Sequence, residues 1–548
     1  MNDNCSEATT PRIASSSSSN PFSFPPQPRT SSSSSLLQDQ ELCIIGGGTG
    51  CNAVVGAFVG AKRITYCLPV SDDGGSSSEI QRVLGGPALG DIRSRLIRLI
   101  PSAPTGSPLD CIRRLLEYRL PGGVNTTNVA VKQEWGDIVE GTHRLWRGIP
   151  GDRKETIRAF LVHFQNAVLK KSQRGFNFKK ASIGNLFLSG ASLFLGSVPS
   201  AIFLFVSVTG ISHDSVRIVP VINTSSTVTI AAELEDGHVI AGQSEISHPS
   251  SSSSTAAPPA TAPLLVTSTS TANAATLRAE AIFPLTRATT PSFPEPPVLG
   301  AEEDESHAEV PPSPDLHIST TTSNTTALTT DPNAASTASS PSDPTAPFAS
   351  QHLEFTKDAS EIPPLPCRIQ RIFYLSSYGL EIHPRPNSHF LQALQDATTL
   401  VYAPGSLYTS IIPCLVLRPV GDLIANEHGR VRNKILLLNS TEDRETTGYE
   451  AVDFVGALTA ACRRSSATWT GMGAVATGVM GRSRGIEPRD IVTHVVYVRN
   501  GHVRVDEAQL RDLGITPVPV GPTPEGMFED QVVRDALAQI LDSSSSSA

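Results

Sequence analysis

The sequence predicts an α/β protein: a Rossmann-like three-layer sandwich on a mostly parallel sheet, split by a long disordered insert. Three observations carry this. Short apolar runs alternate with helical patterns on both sides of the middle of the chain. Two of those runs stop at glycine-bearing turns that lead into helices. Residues 249–362 form a Ser/Thr/Pro/Ala-rich tract without apolar periodicity.

Composition sets the boundaries. Residues 1–40 hold serine runs and prolines, and 541–548 end in another serine run. With 249–362, these segments cannot bury enough apolar surface to offset the entropy of ordering them, so all three are expected to be disordered. The remainder, 41–248 and 366–540, reads as one domain interrupted by the insert. Of the formal net charge of −9, residues 251–350 supply ten acidic and two basic side chains, which leaves the rest near neutral. A near-neutral body argues against nucleic acid or a membrane surface as the partner. The eight cysteines form no C-x-x-C pair, which fits reduced thiols. The start of the chain lacks the apolar run of a secretory signal, so a cytoplasmic setting is expected. The uncharged stretch Ala181–Ile211 reads as two buried helices, Ile183–Leu195 and Ser200–Val208, hinged at Gly196–Pro199, rather than a membrane span.

In chain order, Glu41–Ile45 is a strand ending at Gly46-Gly-Gly-Thr-Gly50. A helix follows over Cys51–Val59, then a strand over Ile64–Val70 that ends in Ser71-Asp-Asp-Gly-Gly75, a βαβ spacing. Helices are expected over Ser77–Leu84, Gly90–Ile100 and Arg153–Lys171. Strands are expected over Val216–Ile222, Val228–Leu234 and Val239–Gly242, with Asp236-Gly237 as a hairpin turn. Beyond the insert, Arg368–Leu375, Thr399–Tyr402 and Lys434–Leu438 read as strands, and Phe390–Asp396 and Tyr449–Cys462 as helices. Asn500-Gly501 between Val492–Val498 and Val503–Val505 predicts a second hairpin. The basic loop Lys170–Lys180 reads as a solvated surface segment.

The chemistry gathers at four places. Gly46–Gly50 lets the backbone turn sharply and approach a ligand, ahead of a helix whose free N–H groups suit an anion. Cys51 stands where a dinucleotide fingerprint has its third glycine, which counts against an NAD(P) oxidoreductase; a purely structural turn is the plain alternative. Asp72 and Asp73 follow the second strand, where an acid meets a ribose hydroxyl or a pair of acids suits Mg²⁺; Asp73 or Ser76 could instead cap a helix. Gly90-Asp-Ile-Arg93 offers Asp91 as a metal or hydroxyl partner and Arg93 as a bidentate phosphate ligand, with Arg95 and Arg98 on a solvated face. Pro404-Gly-Ser406 repeats the strand–turn–helix logic, Ser406 either donating to phosphate or capping.

In this order, G-G-G-T-G, S-D-D-G-G-S-S, G-D-I-R, S-I-G-N (Ser182–Asn185), A-E-L-E-D-G (Ala232–Gly237) and A-P-G-S-L-Y-T-S (Ala403–Ser410) resemble the CofD/YvcK family, closer to the YvcK branch. Lys434–Leu438 through Glu445–Tyr449 is similar to the family segment ending E-T-D-G-Y, with Thr447 in place of Asp. Ser78 also departs from the family's usual glycine. The resemblance implies a phosphorylated nucleotide as ligand, a uridine-diphosphate sugar in the YvcK branch. It places Gly47, Gly48, Thr49, Gly50, Asp72, Gly74, Gly75, Ser76, Gly90, Arg93, Asn185, Gly405 and Ser406 at the nucleotide. In the transferase branch it implies Asp73 and Asp91 as catalytic acids holding Mg²⁺ while a hydroxyl attacks phosphorus. A homodimer is left open.

Overall fold

The strand runs at the start of the domain are apolar on both faces, the composition of interior parallel strands. In the computed structural model, which describes residues 36–123, 125–249, 363–466, 485–523 and 525–546, β1 (Glu41–Ile45) is buried at every position and β2 (Arg63–Leu68) at all but its first. They pair in parallel with each other, and β2 pairs with β3 (Val216–Pro220). Two strands fold back on themselves next: β4 (Thr229–Leu234) and β5 (Val239–Ala241) form the expected hairpin at Asp236-Gly237. After the insert come β6 (Ile369–Leu375), β7 (Glu381–Ile382), β8 (Thr399–Tyr402), β9 (Asn433–Leu437), β10 (His494–Val498) and β11 (Thr516–Val520).

Two sheets result. The larger has seven strands in the order β11-β10-β9-β8-β1-β2-β3, every pairing parallel, flanked by helices; the smaller is antiparallel, β5-β4-β6-β7. From β1 the chain winds outward through β2 and β3. From β8 it winds the other way through β9, β10 and β11. Strand order therefore reverses between β1 and β8, the position at which open α/β sheets leave a crevice at their carboxyl ends. The chain leaves for the insert after β5 and returns through β6, which pairs with β4. The low-complexity stretches 1–35 and 250–362 lie outside the described residues.

The helices that matter for the site are α1 (Gly48–Ala53), α2 (Gly75–Leu84), α3 (Gly90–Leu99), α4 (Pro108–Glu117), α5 (Asn128–Glu140), α6 (Gly151–Leu169), α7 (Ile183–Leu195), α8 (Val198–Thr209) and α9 (Gln243–Ser247). α7 and α8 are the expected pair. Gly196 ends α7 in the left-handed conformation, and no helix among the described residues is long and apolar enough to cross a membrane.

Several expectations are corrected. Asn500-Gly501 makes a turn but no hairpin, because the chain crosses through the short helix Glu507–Asp512 and β11 pairs parallel to β10. The serines after 541 extend a helix, Asp530–Ser546, whose Val533, Ala536, Leu537, Ile540 and Leu541 are buried. The Ser543 and Ser544 hydroxyls donate to Ile540 O, 2.8 Å each. Residues 36–40 likewise join the domain: Leu37 is buried and Gln40 accepts from Thr398 and Thr399. The helix expected over Cys51–Val59 breaks after Ala53 into a 3₁₀ turn, Val55–Phe58. Asp530 accepts from Ala57 N there and Arg534 donates to Gly56 O, long-range bonds that no local propensity encodes.

Candidate functional site

Both glycine turns emerge at the reversal point. β1 runs into Gly46–Gly50, and its neighbour β8 runs into Pro404-Gly405-Ser406. The two loops touch. A Cβ on Gly50 would stand 2.8 Å from Pro404 O and 3.2 Å from Gly405 N, and one on Gly405 3.1 Å from Gly47 O. No side chain fits between backbones so close, which gives glycine at 50 a structural necessity. Gly47 is the N-cap of α1, without a side-chain cap; Gly48, Thr49 and Gly50 form its first turn. Asn439, two residues beyond the end of β9 at Leu437, clasps the second loop: its Oδ1 accepts from Gly405 N (3.0 Å) and its Nδ2 donates to Gly405 O (2.7 Å).

The acids sort differently from the expectation. Asp91, in the first turn of α3, accepts from Gly48 N through Oδ1 (3.1 Å), and a Cβ on Gly47 would meet its Oδ2 at 2.3 Å. That Oδ2 is buried without a hydrogen-bond partner. Asp72, not Asp73, is the partner of Asp91. Burial first, then the Asp91 charge, push Asp72 up to about 7, against hydrogen bonds from Gly74 N and Ser77. Asp91 is itself raised by burial, opposed by Gly48 N and by the Arg95 charge. Asp73 turns to the other sheet, accepting from Ser244 N in α9 at 2.7 Å. Neither Asp73 nor Ser76 caps α2: Gly74 is the N-cap, no side chain caps it, and Gly75 and Ser76 open the helix.

Two half-buried carboxylates, one of which raises the other and keeps an unpartnered oxygen, fit a cation that keeps waters and takes its other ligands from phosphate, the habit of Mg²⁺. Asp72 and Asp91 are the residues that would hold it, the rest of its shell coming from outside the protein, since no group of three or more His, Cys, Asp or Glu side chains is arranged to hold a metal among the described residues.

Arg93 is buried, its Nη2 donating to Glu117 O at 2.9 Å, and Gly90 sits against Asp72. Arg95 overturns its expectation. It is 1 % exposed, its Nη1 donates to Cys51 O (3.1 Å), and its guanidinium lies 4.6 Å from the Tyr66 ring centroid. The inward face of α3, with Ile92 and Leu96 buried, brings it beneath the first loop; Arg98 is exposed as expected. Asn185, in the first turn of α7, donates to Ser76 Oγ at 2.8 Å.

Ser406 is committed to the protein. It accepts from Thr409 N (3.1 Å) as a cap and bonds Glu445 Oε2 (2.5 Å). Glu445, 3 % exposed, also accepts from Tyr408 N, Thr409 and Ser247. Burial and then Asp443 raise its pKa, with the Ser247, Ser406 and Thr409 hydroxyls opposing. Arg444 donates to Glu245 O, Ile246 O and Pro363 O. Glu445, inside the segment Glu445–Tyr449, and Asn439 are site residues that the sequence pattern alone does not single out. A buried acid followed by two threonines and a glycine, and an asparagine just past a strand, were the available signals.

Fold and site thus define a doubly wound α/β protein in which two glycine loops meet beside an acid pair at the reversal of strand order. The sequence model of the 2-phospho-L-lactate transferase CofD family matches residues 42–520, and the chain belongs to that CofD/YvcK family. It is similar to the Saccharomyces cerevisiae protein YNL011C, 32 % identical over 471 residues, 85 % of this chain and 91 % of the yeast protein. It is also similar to the gluconeogenesis factor of Bacillus subtilis, 33 % identical over 100 residues, 18 % of this chain and 29 % of that one. A crystal structure of a UPF0052 family member from Bacillus halodurans covers 92 % of this chain and 99 % of its own, at 16 % identity and TM-score 0.49.

Proposed function

We propose that the crevice between β1 and β8 binds a phosphorylated nucleotide, a uridine-diphosphate sugar as in the YvcK branch, with a role in metabolic regulation. The observation that carries this reading is the contact between the two glycine loops at the reversal of strand order, beside Asp91 with its unpartnered Oδ2. Backbone loops without side chains admit a diphosphate closely. Asp72 and Asp91 would hold Mg²⁺, which supplies a positive charge for the phosphate oxygens. Arg93, two residues beyond Asp91 in α3, lies with its stem against the first turn of α7. Isothermal titration with uridine-diphosphate sugars, guanosine nucleotides and NAD, each with and without Mg²⁺, tests the reading. Binding of NAD alone would refute it.

A second reading has its own observation. An acid near pH 7, such as Asp72, is matched to taking a proton from a hydroxyl. In a CofD-type transfer the acceptor hydroxyl oxygen would form a new bond to phosphorus. The bond from phosphorus to the departing nucleoside monophosphate would break, and the hydroxyl proton would pass to Asp72. Release of a nucleoside monophosphate from a nucleoside-diphosphate donor, only when an alcohol acceptor is present, separates this reading from the first.

A further inference from the structure

We propose that the amino end of α7 is a separate oxyanion subsite, built by Ser182, Asn185, Arg93 and Arg119, that takes a phosphate or carboxylate group beyond the glycine loops. This deepens the nucleotide reading and rests on it for the neighbouring ligand.

Two helices of full length begin here without side-chain caps: α2, of 10 residues, and α7, of 13. The hydrogen bond from Asn185 to Ser76 joins their first turns, so two helix amino ends, each favouring negative charge, converge. Helix ends alone select nothing. What marks a ligand is the set of buried polar atoms left without partners at the same place. Ser182, at the N-cap position of α7, is 0 % exposed, yet its hydroxyl bonds nothing. Asn185 Oδ1 and Arg93 Nε are buried and unpartnered as well. Orphaned groups of this kind cost stability and are retained where something else satisfies them.

Cationic side chains complete the subsite. A Cβ on Gly184 would stand 3.1 Å from Arg93 Cγ and 3.3 Å from Arg93 Nε, so the stem of Arg93 lies against the first turn of α7. Arg119 bridges backbone to backbone with Ser182, and its exposed guanidinium makes one hydrogen bond, to Lys180 O at 3.4 Å. The two guanidiniums are close enough to disfavour each other: burial first, then the Arg119 charge, push Arg93 down to about 10. Asp72 draws on Arg119 from the other side. Two guanidiniums and two helix amino ends therefore meet at the subsite, with Asp72 and Glu117 as the acids acting on them.

The test uses the full chain and inorganic phosphate as probe, followed by isothermal titration. Phosphate is expected to bind the native protein. Arg119→Ala should weaken it roughly tenfold or more, the loss expected for a charge-assisted hydrogen bond. Ser182→Ala should weaken it further, and thermal melts confirm that both variants fold. Because Arg119 is exposed, its removal leaves the core intact. The source of the group is read from competition. If the subsite takes the far end of the nucleotide ligand, UDP-glucuronate displaces phosphate while UDP and UDP-glucose do not. If it takes an independent small oxyanion, phosphate still binds in the presence of saturating UDP-glucuronate. Absence of phosphate binding, or an affinity unchanged in both variants, would overturn the proposal. Failure of every nucleotide to bind, with Arg119-dependent phosphate binding intact, would instead sink the nucleotide reading and leave the subsite standing.

Discussion

Asp72→Asn is expected to make the protein more stable at neutral and alkaline pH. An aspartate ordinarily titrates near 3.9, and in the folded chain burial and Asp91 hold Asp72 at about 7. Below pH 4 both states carry the proton and the side chain has no pH-dependent effect. Between pH 4 and 7 the unfolded chain ionises while the folded one resists, so the native protein loses stability as pH rises; above 7 the loss is complete. Three pH units at 1.36 kcal/mol each set a ceiling of about 4 kcal/mol. An asparagine can still accept from Gly74 N, as Asp72 does at 3.0 Å, so the gain should approach that ceiling, at about 2–4 kcal/mol. Urea melts at pH 4, 6 and 8 measure it. The variant should match the native protein at pH 4 and exceed it at pH 8. Millimolar Mg²⁺ should raise the native melting temperature at pH 8 and leave the variant unmoved. Equal stability at pH 4 and 8 would refute the argument, because the acid pair would then carry no electrostatic penalty.

Further outcomes follow from the same geometry. Gly50→Ala drives a Cβ to 2.8 Å from Pro404 O; since backbone cannot yield cheaply, it should lose about 1–3 kcal/mol of stability in a melt and abolish ligand binding in titration. Asn439→Ala removes both bonds to Gly405; ligand affinity should fall while the melting temperature drops by the equivalent of roughly 1–3 kcal/mol. Replacing residues 250–362 with a short Gly/Ser linker should change stability by less than about 1 kcal/mol, because Arg444 bonds Glu245 O, Ile246 O and Pro363 O and so brings the two flanks together. A linker variant that fails to fold in a thermal melt would show that the insert packs on the domain.

How much of this was legible follows from the range over which each signal acts. β1, β8 and α7 are found at the residues the pattern predicts, because burial on both faces or on a stripe writes a periodicity into a few consecutive residues. The two strand–glycine–helix units, one on each side of the insert, are visible in the sequence, whereas the reversal of strand order between them comes from the pairing of β1 with β8. The hairpin at Asn500-Gly501 failed because turn chemistry is local, whereas the parallel pairing of β10 with β11 is decided by a helix that crosses between them. Arg95 failed for a related reason: a charged residue is read as solvated unless its partner is known, and here the partners are Cys51 O and the Tyr66 ring, 44 and 29 positions back. The choice between Asp72 and Asp73 could not be read from adjacency at all. It depends on Ser244, 171 residues away, which draws Asp73 out of the acid pair.

That division of labour between adjacent acids ties the helix that follows the smaller sheet's β5 to the site. Asp73 holds the amino end of α9 through Ser244, and Glu445 holds its carboxyl end through Ser247 while gripping Ser406 and Thr409. Asp91 holds Gly48 and Asn439 holds Gly405. Each of the two loops is therefore fixed by a side chain from a different stretch of chain, and the short helix between β5 and the insert is tied to both halves. Asp72, Asp91 and Glu445 are all raised by burial, so each destabilises the fold unless its hydrogen bonds are complete. Glu445 is fully engaged and acts as a brace. Asp91 keeps an oxygen free, and Asp72 stays poised near neutrality. A network that satisfies its structural acid, leaves an oxygen of Asp91 unpartnered and holds Asp72 beside it has its electrostatic cost concentrated where a cation and a phosphate would relieve it.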